Sequence, residues 1–333
     1  MKIAVDAMGG DDAPATIVHG AVEAARDLGV EPVLVGDETA IKEAISQHSI
    51  QGLRLSIVHA SQRVGMEESP STVVRKKRDS SIWVATRLVK ELDAVAVISA
   101  GNTGASMATG LFNLKPISGV ERPAIATPLP TLTGTAIMID VGANVDCKPN
   151  HLFQFAIMGQ IYAEKIFGIS NPRVGLLSIG GEDTKGNELT KEVFKLLKGS
   201  TLRFIGNVEG RDVYSGGADV IVCDGFIGNV ALKISEGLSD AMIEFLKREI
   251  LTSTSGKLGY ALLKSSFSRF RKKVDYAEYG GAPLLGLEGI SIICHGHSSP
   301  LAIKNAIRVA KESFDRGVNR HIKEEIKAHM HDR

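Results

Sequence analysis

The sequence predicts an α/β protein, a three-layer α/β/α sandwich built on a mostly parallel sheet. Three observations carry that expectation. Short β-branched runs bounded by Gly, Asp or Pro recur along the whole length, and stretches with apolar residues at three- and four-residue spacing separate most of them. The composition is globular: 44% of the 333 residues are hydrophobic and 23% charged, enough apolar surface for a sizeable core.

KIAVD at 2–6 opens the chain as a strand, and Asp12 before Pro14 signals a helix over 14–28. PVLV at 32–35 reads as a second strand, followed by a helix over 39–47. A third strand lies at 53–58, and Ser69-Pro70-Ser71 starts a helix drawn over 71–92. Further strands are expected at 94–98, 135–140, 173–179, 202–205, 219–223 and 290–294, with helices at 151–167, 188–197 and 299–316. Alternation of this kind packs helices on both faces of a parallel sheet. No repeat or low-complexity linker divides residues 1–333, so one unit is expected, with two lobes around a cleft left open.

Lys and Arg number 39 against 38 Asp and Glu, a formal charge of +1 that argues against a dedicated nucleic-acid binder. Cys147, Cys223 and Cys294 are odd in number and widely spaced, which implies no disulfide framework. No apolar run approaches the ~18 to 20 residues that span a bilayer. A cytoplasmic protein is expected, with peripheral attachment at the inner face of a membrane left open.

The 35 glycines exceed the usual share of about 7%, and six Gly-containing turns stand out, each after an expected strand: 6–11, 99–105, 140–144, 180–187, 224–229 and 296–299. Ligands in such sheets bind beyond the carboxyl ends of strands, where Gly permits close backbone approach and helix N-termini present N–H groups to anions. All six turns are expected at one edge of one sheet. None is a nucleotide fingerprint: G-x-x-x-x-G-K-[ST] is absent, and no G-x-G-x-x-G precedes an acidic residue on the next strand. A G-x-S-x-G elbow is absent too.

DAMGGD at 6–11, SAGNTGA at 99–105, RPAIA at 122–126, DVGAN at 140–144, GEDTKGNE at 181–188, DGFIGN at 224–229 and GGAPLLG at 280–286 resemble the bacterial fatty acyl-[acyl-carrier-protein]:phosphate acyltransferase family. The resemblance runs from the first strand to the last long helix. It implies conversion of an acyl-carrier-protein thioester and inorganic phosphate into acyl phosphate, early in phospholipid synthesis. It further implies an isopropylmalate-dehydrogenase-like fold, shared with phosphate acetyltransferases, and a homodimer; no cofactor is expected.

That chemistry suits the residues. Phosphate, with a second pKa of about 6, is largely dianionic near neutrality, and a thiol of pKa roughly 8.5 leaves readily. The protein must hold both reactants in line, neutralise phosphate and donate hydrogen bonds to the tetrahedral oxyanion. Direct attack by phosphate is expected. Asn102, Thr103, Gly104, Asn144 and Thr184 are the candidate phosphate contacts, with Lys185 as charge partner; a solvated loop lysine is the alternative. Asn229, Gly296, His297 and Ser298 are the candidates for the acyl carbonyl, His295 or His297 also for protonating the thiolate. Asp6, Asp140 and Asp224 end strands, where capping or bracing competes with acid–base work. His295 and His297 lack further ligands at metal spacing, so no metal is expected, and Cys294 reads as a packing residue rather than an acyl-cysteine.

Residues 250–276 stop looking like α/β. Leu263, Phe267, Phe270 and Val274 follow helical spacing among Lys264, Arg269, Arg271, Lys272 and Lys273, an amphipathic helix with a cationic face. A dimer or core helix, a dock for acidic acyl-carrier protein, and a membrane-surface helix that serves a downstream membrane acyltransferase all fit. Two rivals to acyl transfer are compatible with the sequence: a non-enzymatic scaffold for carrier protein at the membrane, and a dehydrogenase on the same fold.

Overall fold

The computed structural model describes residues 1–274 and 279–331, excepting the side chains of residues 261, 268–274, 330 and 331. In chain order the elements are β1 (Lys2–Asp6), α1 (Ala15–Leu28), β2 (Glu31–Gly36), α2 (Glu38–Ser46), β3 (Ser56–His59), α3 (Pro70–Lys76), α4 (Ser81–Lys90), β4 (Ala96–Ser99), α5 (Thr103–Asn113), β5 (Ala124–Thr131) and β6 (Gly134–Ile139). They continue with α6 (Pro149–Phe167), β7 (Val174–Ser178), α7 (Glu188–Lys198), β8 (Phe204–Glu209), β9 (Val220–Val222), α8 (Gly225–Leu251), α9 (Thr254–Val274), β10 (Ala282–Leu285), β11 (Ile290–Ile293), α10 (Pro300–Asp315) and α11 (Val318–His331).

The strands join one sheet in the order β3-β2-β1-β4-β11-β10-β5-β6-β9-β7-β8. Alternate side chains of its buried strands split between two layers. One face buries Ile3, Val5, Ile98 and Ile292 under α1 and α10, and Ala126, Ile137 and Ile139 under α6, α7 and α11. The other buries Val97, Ile125, Met138 and Ile293 with side chains of α4, α5 and the first turns of α8. The expected α/β sandwich is therefore present.

The sheet is mostly parallel, as expected, but antiparallel pairs at its centre divide it into two halves of opposite direction. β10 pairs antiparallel with both β11 and β5, and β5 pairs antiparallel with β6. Strands β1, β2, β3, β4 and β11 thus run one way, and β6, β7, β8 and β9 the other. Both reversing strands carry proline, Pro128 and Pro130 in β5 and Pro283 in β10. Proline donates no ladder hydrogen bond and argues against a strand in the bare sequence. The helix expected over 71–92 is two helices, because Lys77 leaves helical geometry (φ −122°, ψ 53°) and Ser80, with extended backbone, stands at the N-cap position of α4.

Candidate active site

Strand polarity sorts the six glycine turns onto two opposite edges. The turns after β1, β4 and β11 share the first edge, where their backbones nearly touch. A Cβ on Gly9 would lie 2.7 Å from Asp6 Oδ2 and 2.8 Å from Gly101 N, and one on Gly10 would lie 3.0 Å from Gly296 O. Asp11 N donates to Gly296 O at 2.8 Å. Close approach of three turns is what these glycines permit.

Two helix N-termini rise from this edge. Asn102 caps α5 by accepting from Ala105 N at 2.9 Å, and Ser299 caps α10 by accepting from Ala302 N at 3.3 Å. Between the turn and α10 stands Ser298, 6% exposed, whose Oγ is buried with no hydrogen-bond partner. A buried hydroxyl is normally satisfied, so this one calls for an explanation. Beneath the turns, Asp6 is buried; Ser99 Oγ donates to its Oδ2 at 2.7 Å, and Met8 N lies 3.3 Å from Oδ1. Burial pushes the Asp6 carboxyl above its ordinary value, against the Ser81, Ser99, Met8 and Gly9 donors. A cavity of about 10 Å³ lined by Asp6, Ser81, Ser99 and Ser106 adjoins it.

A strap over residues 63–69 crosses this edge. Arg63 Nη2 donates to Gly10 O at 3.3 Å, bringing an exposed guanidinium to the turns, and Met66 Cε would lie 3.2 Å from a Cβ on Gly296. From the other side α8 reaches in, its Glu236 Oε1 lying 3.4 Å from His295 Nε2 and its Lys233 Nζ donating to Glu236 at 2.7 Å. Burial, then the Lys233 charge, holds His295 below its ordinary pKa despite Glu236. The His295 and His297 rings are 5.3 Å apart.

Residues 1–321 match the family described as fatty acid synthesis protein. The phosphate acyltransferase of Trichlorobacter lovleyi is 55% identical over 326 residues, covering 98% of this chain and 94% of that one. That of Geobacter sulfurreducens is 54% identical over the same length and shares. The chain belongs to the phosphate acyltransferase family. A phosphotransacetylase from Streptococcus pyogenes shares the fold, with TM-score 0.61 at 17% identity over 95% of this chain and 94% of that one. So does a branched-chain phosphotransacylase from Enterococcus faecalis, with TM-score 0.58 at 14% identity over 94% and 98%.

For this member of an acyltransferase family of fatty acid synthesis, the structure redistributes the residues singled out in the sequence. Thr103, Gly104, Gly296, His297 and Ser298 come together at the first edge. Asn102 does too, but its side chain is used up: besides capping α5, its Nδ2 donates to Met66 O at 2.6 Å and Glu68 O at 3.0 Å. Asn144 is likewise a brace and not a free ligand, since its Nδ2 donates to Pro123 O at 2.8 Å and Asp140 Oδ2 at 2.9 Å. Asn144, Thr184, Lys185 and Asn229 all belong to the opposite edge, beyond β6, β7 and β9. Thr184, Lys185 and Asn229 are exposed there.

The strand-end aspartates resolve toward bracing. Asp140 accepts from Ile125 N, Gly142 N, Ala143 N, Asn144 N and Asn144 Nδ2; burial pushes its carboxyl up and these donors oppose the shift. Asp224 caps α8 through Phe226 N and Ile227 N. Cys294 is 5% exposed and burial pushes its thiol up to about 12, which disfavours the thiolate an acyl-cysteine requires. Sequence reasoning missed Arg63, a lone arginine in a loop, since only the fold brings it to Gly10. Among the described residues no group of three or more His, Cys, Asp or Glu could hold a metal ion.

Proposed function

We propose that the protein transfers a fatty acyl group from an acyl-carrier-protein thioester to inorganic phosphate, releasing acyl phosphate and the carrier thiol, at the edge formed by β1, β4 and β11. The unpartnered Ser298 hydroxyl beside the N-terminus of α10, at the edge where the turns after β1, β4 and β11 meet, is the observation that carries this reading. Phosphate is held by the N–H groups of Thr103 and Gly104 at the start of α5, by the Thr103 hydroxyl and by Arg63, whose fork suits an oxyanion. One phosphate oxygen attacks the thioester carbonyl carbon. Ser298 Oγ–H and backbone near Gly296 donate to the carbonyl oxygen as it becomes an oxyanion. The C–S bond then breaks, and the departing thiolate takes a proton from His297 or water. Phosphate is already ionised and the thiol is a good leaving group, so no covalent acyl-enzyme is required.

Thiol release from acyl-carrier-protein thioester, measured with and without phosphate, tests this. Release should require phosphate, and Ser298→Ala should lower kcat by about 10²-fold or more while leaving the melting temperature unchanged, since its Oγ bonds nothing in the fold. Phosphate-independent release, or full activity in Ser298→Ala, would overturn it.

We further propose that two copies pair through α8 and that α9 attaches the pair to an anionic membrane, where a membrane acyltransferase consumes the amphiphilic product. Exposed apolar side chains along α8 and at Leu258, Leu262 and Leu263 of α9 support both. Phe267 is half-buried, with its ring 5.3 Å from that of Tyr260. The side chains of Phe270, Arg271, Lys272 and Lys273 lie outside the described residues. No described helix is long and apolar enough to cross a membrane.

A further inference from the structure

Residues 62–80 form a closed excursion that touches the site and carries charge the reaction does not use. A bridge between Gln62 and Ser80 and the bond from Ser61 N to Asp79 Oδ2, 2.9 Å, close its base. One arm is the strap that brings Arg63 and Met66 to Gly10 and Gly296. The other is α3, whose Pro70 packs so tightly on α5 that a Cβ on Gly104 would lie 2.7 Å from Pro70 Cγ. At 1.5 Å per residue, Arg75 sits about 7.5 Å farther along α3, which runs beside α5 from Gly104 toward Phe112.

The run Arg75-Lys76-Lys77-Arg78 ends that arm. Lys77 is neutralised, its Nζ donating to Glu68 Oε1 at 2.6 Å. The Arg78 guanidinium lies 5.5 Å from the ring centroids of both Trp83 and Phe112, which hold it in place. Arg75 and Lys76 are exposed and pair with no carboxylate among the described residues.

We propose that Arg75, Lys76 and Arg78 are the docking surface for an acidic protein that carries the acyl thioester. The proposal rests on the reaction assigned above and adds the place where its macromolecular donor sits. A donor of protein size must keep its bulk outside while its thioester reaches Ser298. Unneutralised cations on the arm that packs along α5, starting from Pro70 at Gly104, attract and orient an acidic face beside the site. Complementing the α3 dipole is the purely structural alternative for these side chains.

The test is the double charge reversal Arg75→Glu with Lys76→Glu, both exposed positions. Anisotropy of fluorescently labelled apo acyl-carrier protein should show Kd weakened about tenfold or more and a flatter salt dependence. The ratio of kcat/KM for the carrier-bound donor to that for a carrier-free acyl thioester should fall by a similar factor. Equal carrier binding by both proteins, or an unchanged ratio, would overturn the dock, as would loss of anionic-vesicle binding with carrier binding intact. Absence of phosphate-dependent thiol release in the unmodified protein would instead overturn the reaction, with the binding measurement still deciding the dock.

Discussion

At the scale of single residues the site depends on one carboxyl that never meets a cation. Asp6 is 3% exposed, bonded only to neutral donors, and Ser99 Oγ in turn accepts from Gly101 N at 3.1 Å. Asp6 therefore ties the β1 and β4 turns together from beneath. Desolvation raises its pKa, so the native state binds its proton more tightly than the unfolded chain does. The sign follows: the stability it contributes is full below the ordinary carboxylate range and is lost as pH rises through the raised native value. Asp6→Asn keeps an acceptor for Met8 N and places an NH₂ toward Ser99 Oγ without a charge to bury. Urea unfolding between pH 4.5 and 8 should show this variant gaining on the unmodified protein as pH rises, then levelling. Parallel profiles would mean that Asp6 titrates alike in both states.

At the scale of elements α8 stands apart. Of its 27 residues only Gly225 and Gly228 are buried, while Leu238, Met242 and Phe245 are 58%, 61% and 67% exposed. They recur at four- and three-residue spacing, one apolar stripe that begins just past Glu236, where α8 contacts His295. Such a stripe is stable in water only if something covers it. Leu238→Glu with Met242→Glu should shift the sedimentation coefficient from dimer to monomer; a monomer in the unmodified protein would refute the pairing. On α9, Leu263→Glu should reduce co-sedimentation with anionic vesicles several-fold, and undiminished binding would remove α9 from membrane attachment. The amphipathic character of this segment was legible because helical periodicity survives without knowledge of the fold. What covers each stripe is a property of surfaces, not of spacing.

At the scale of the whole molecule the same limit explains what the sequence misplaced. Glycine turns after strands were legible, and Thr103, Gly104, Gly296, His297 and Ser298 do converge. The expectation of one shared edge failed because β5 and β10, whose prolines disguise them, reverse the sheet between its halves. Local patterns report that a strand exists, whereas polarity is set by partners far away in the chain. The reversal moves Lys185 away from Ser298 and leaves Arg63 as the guanidinium beside the first-edge turns. A thermal-shift titration with inorganic phosphate separates the two edges, because a ligand that binds only the native state stabilises it by about 2.7 kcal/mol at a hundred times its Kd. Phosphate should raise the melting temperature of the unmodified protein and of Lys185→Ala alike, and Arg63→Ala should need about tenfold more phosphate for the same shift. The reverse pattern, with Lys185→Ala blind to phosphate and Arg63→Ala unaffected, would transfer the phosphate site to the opposite edge, because only a cation that touches the anion can change its affinity by that much.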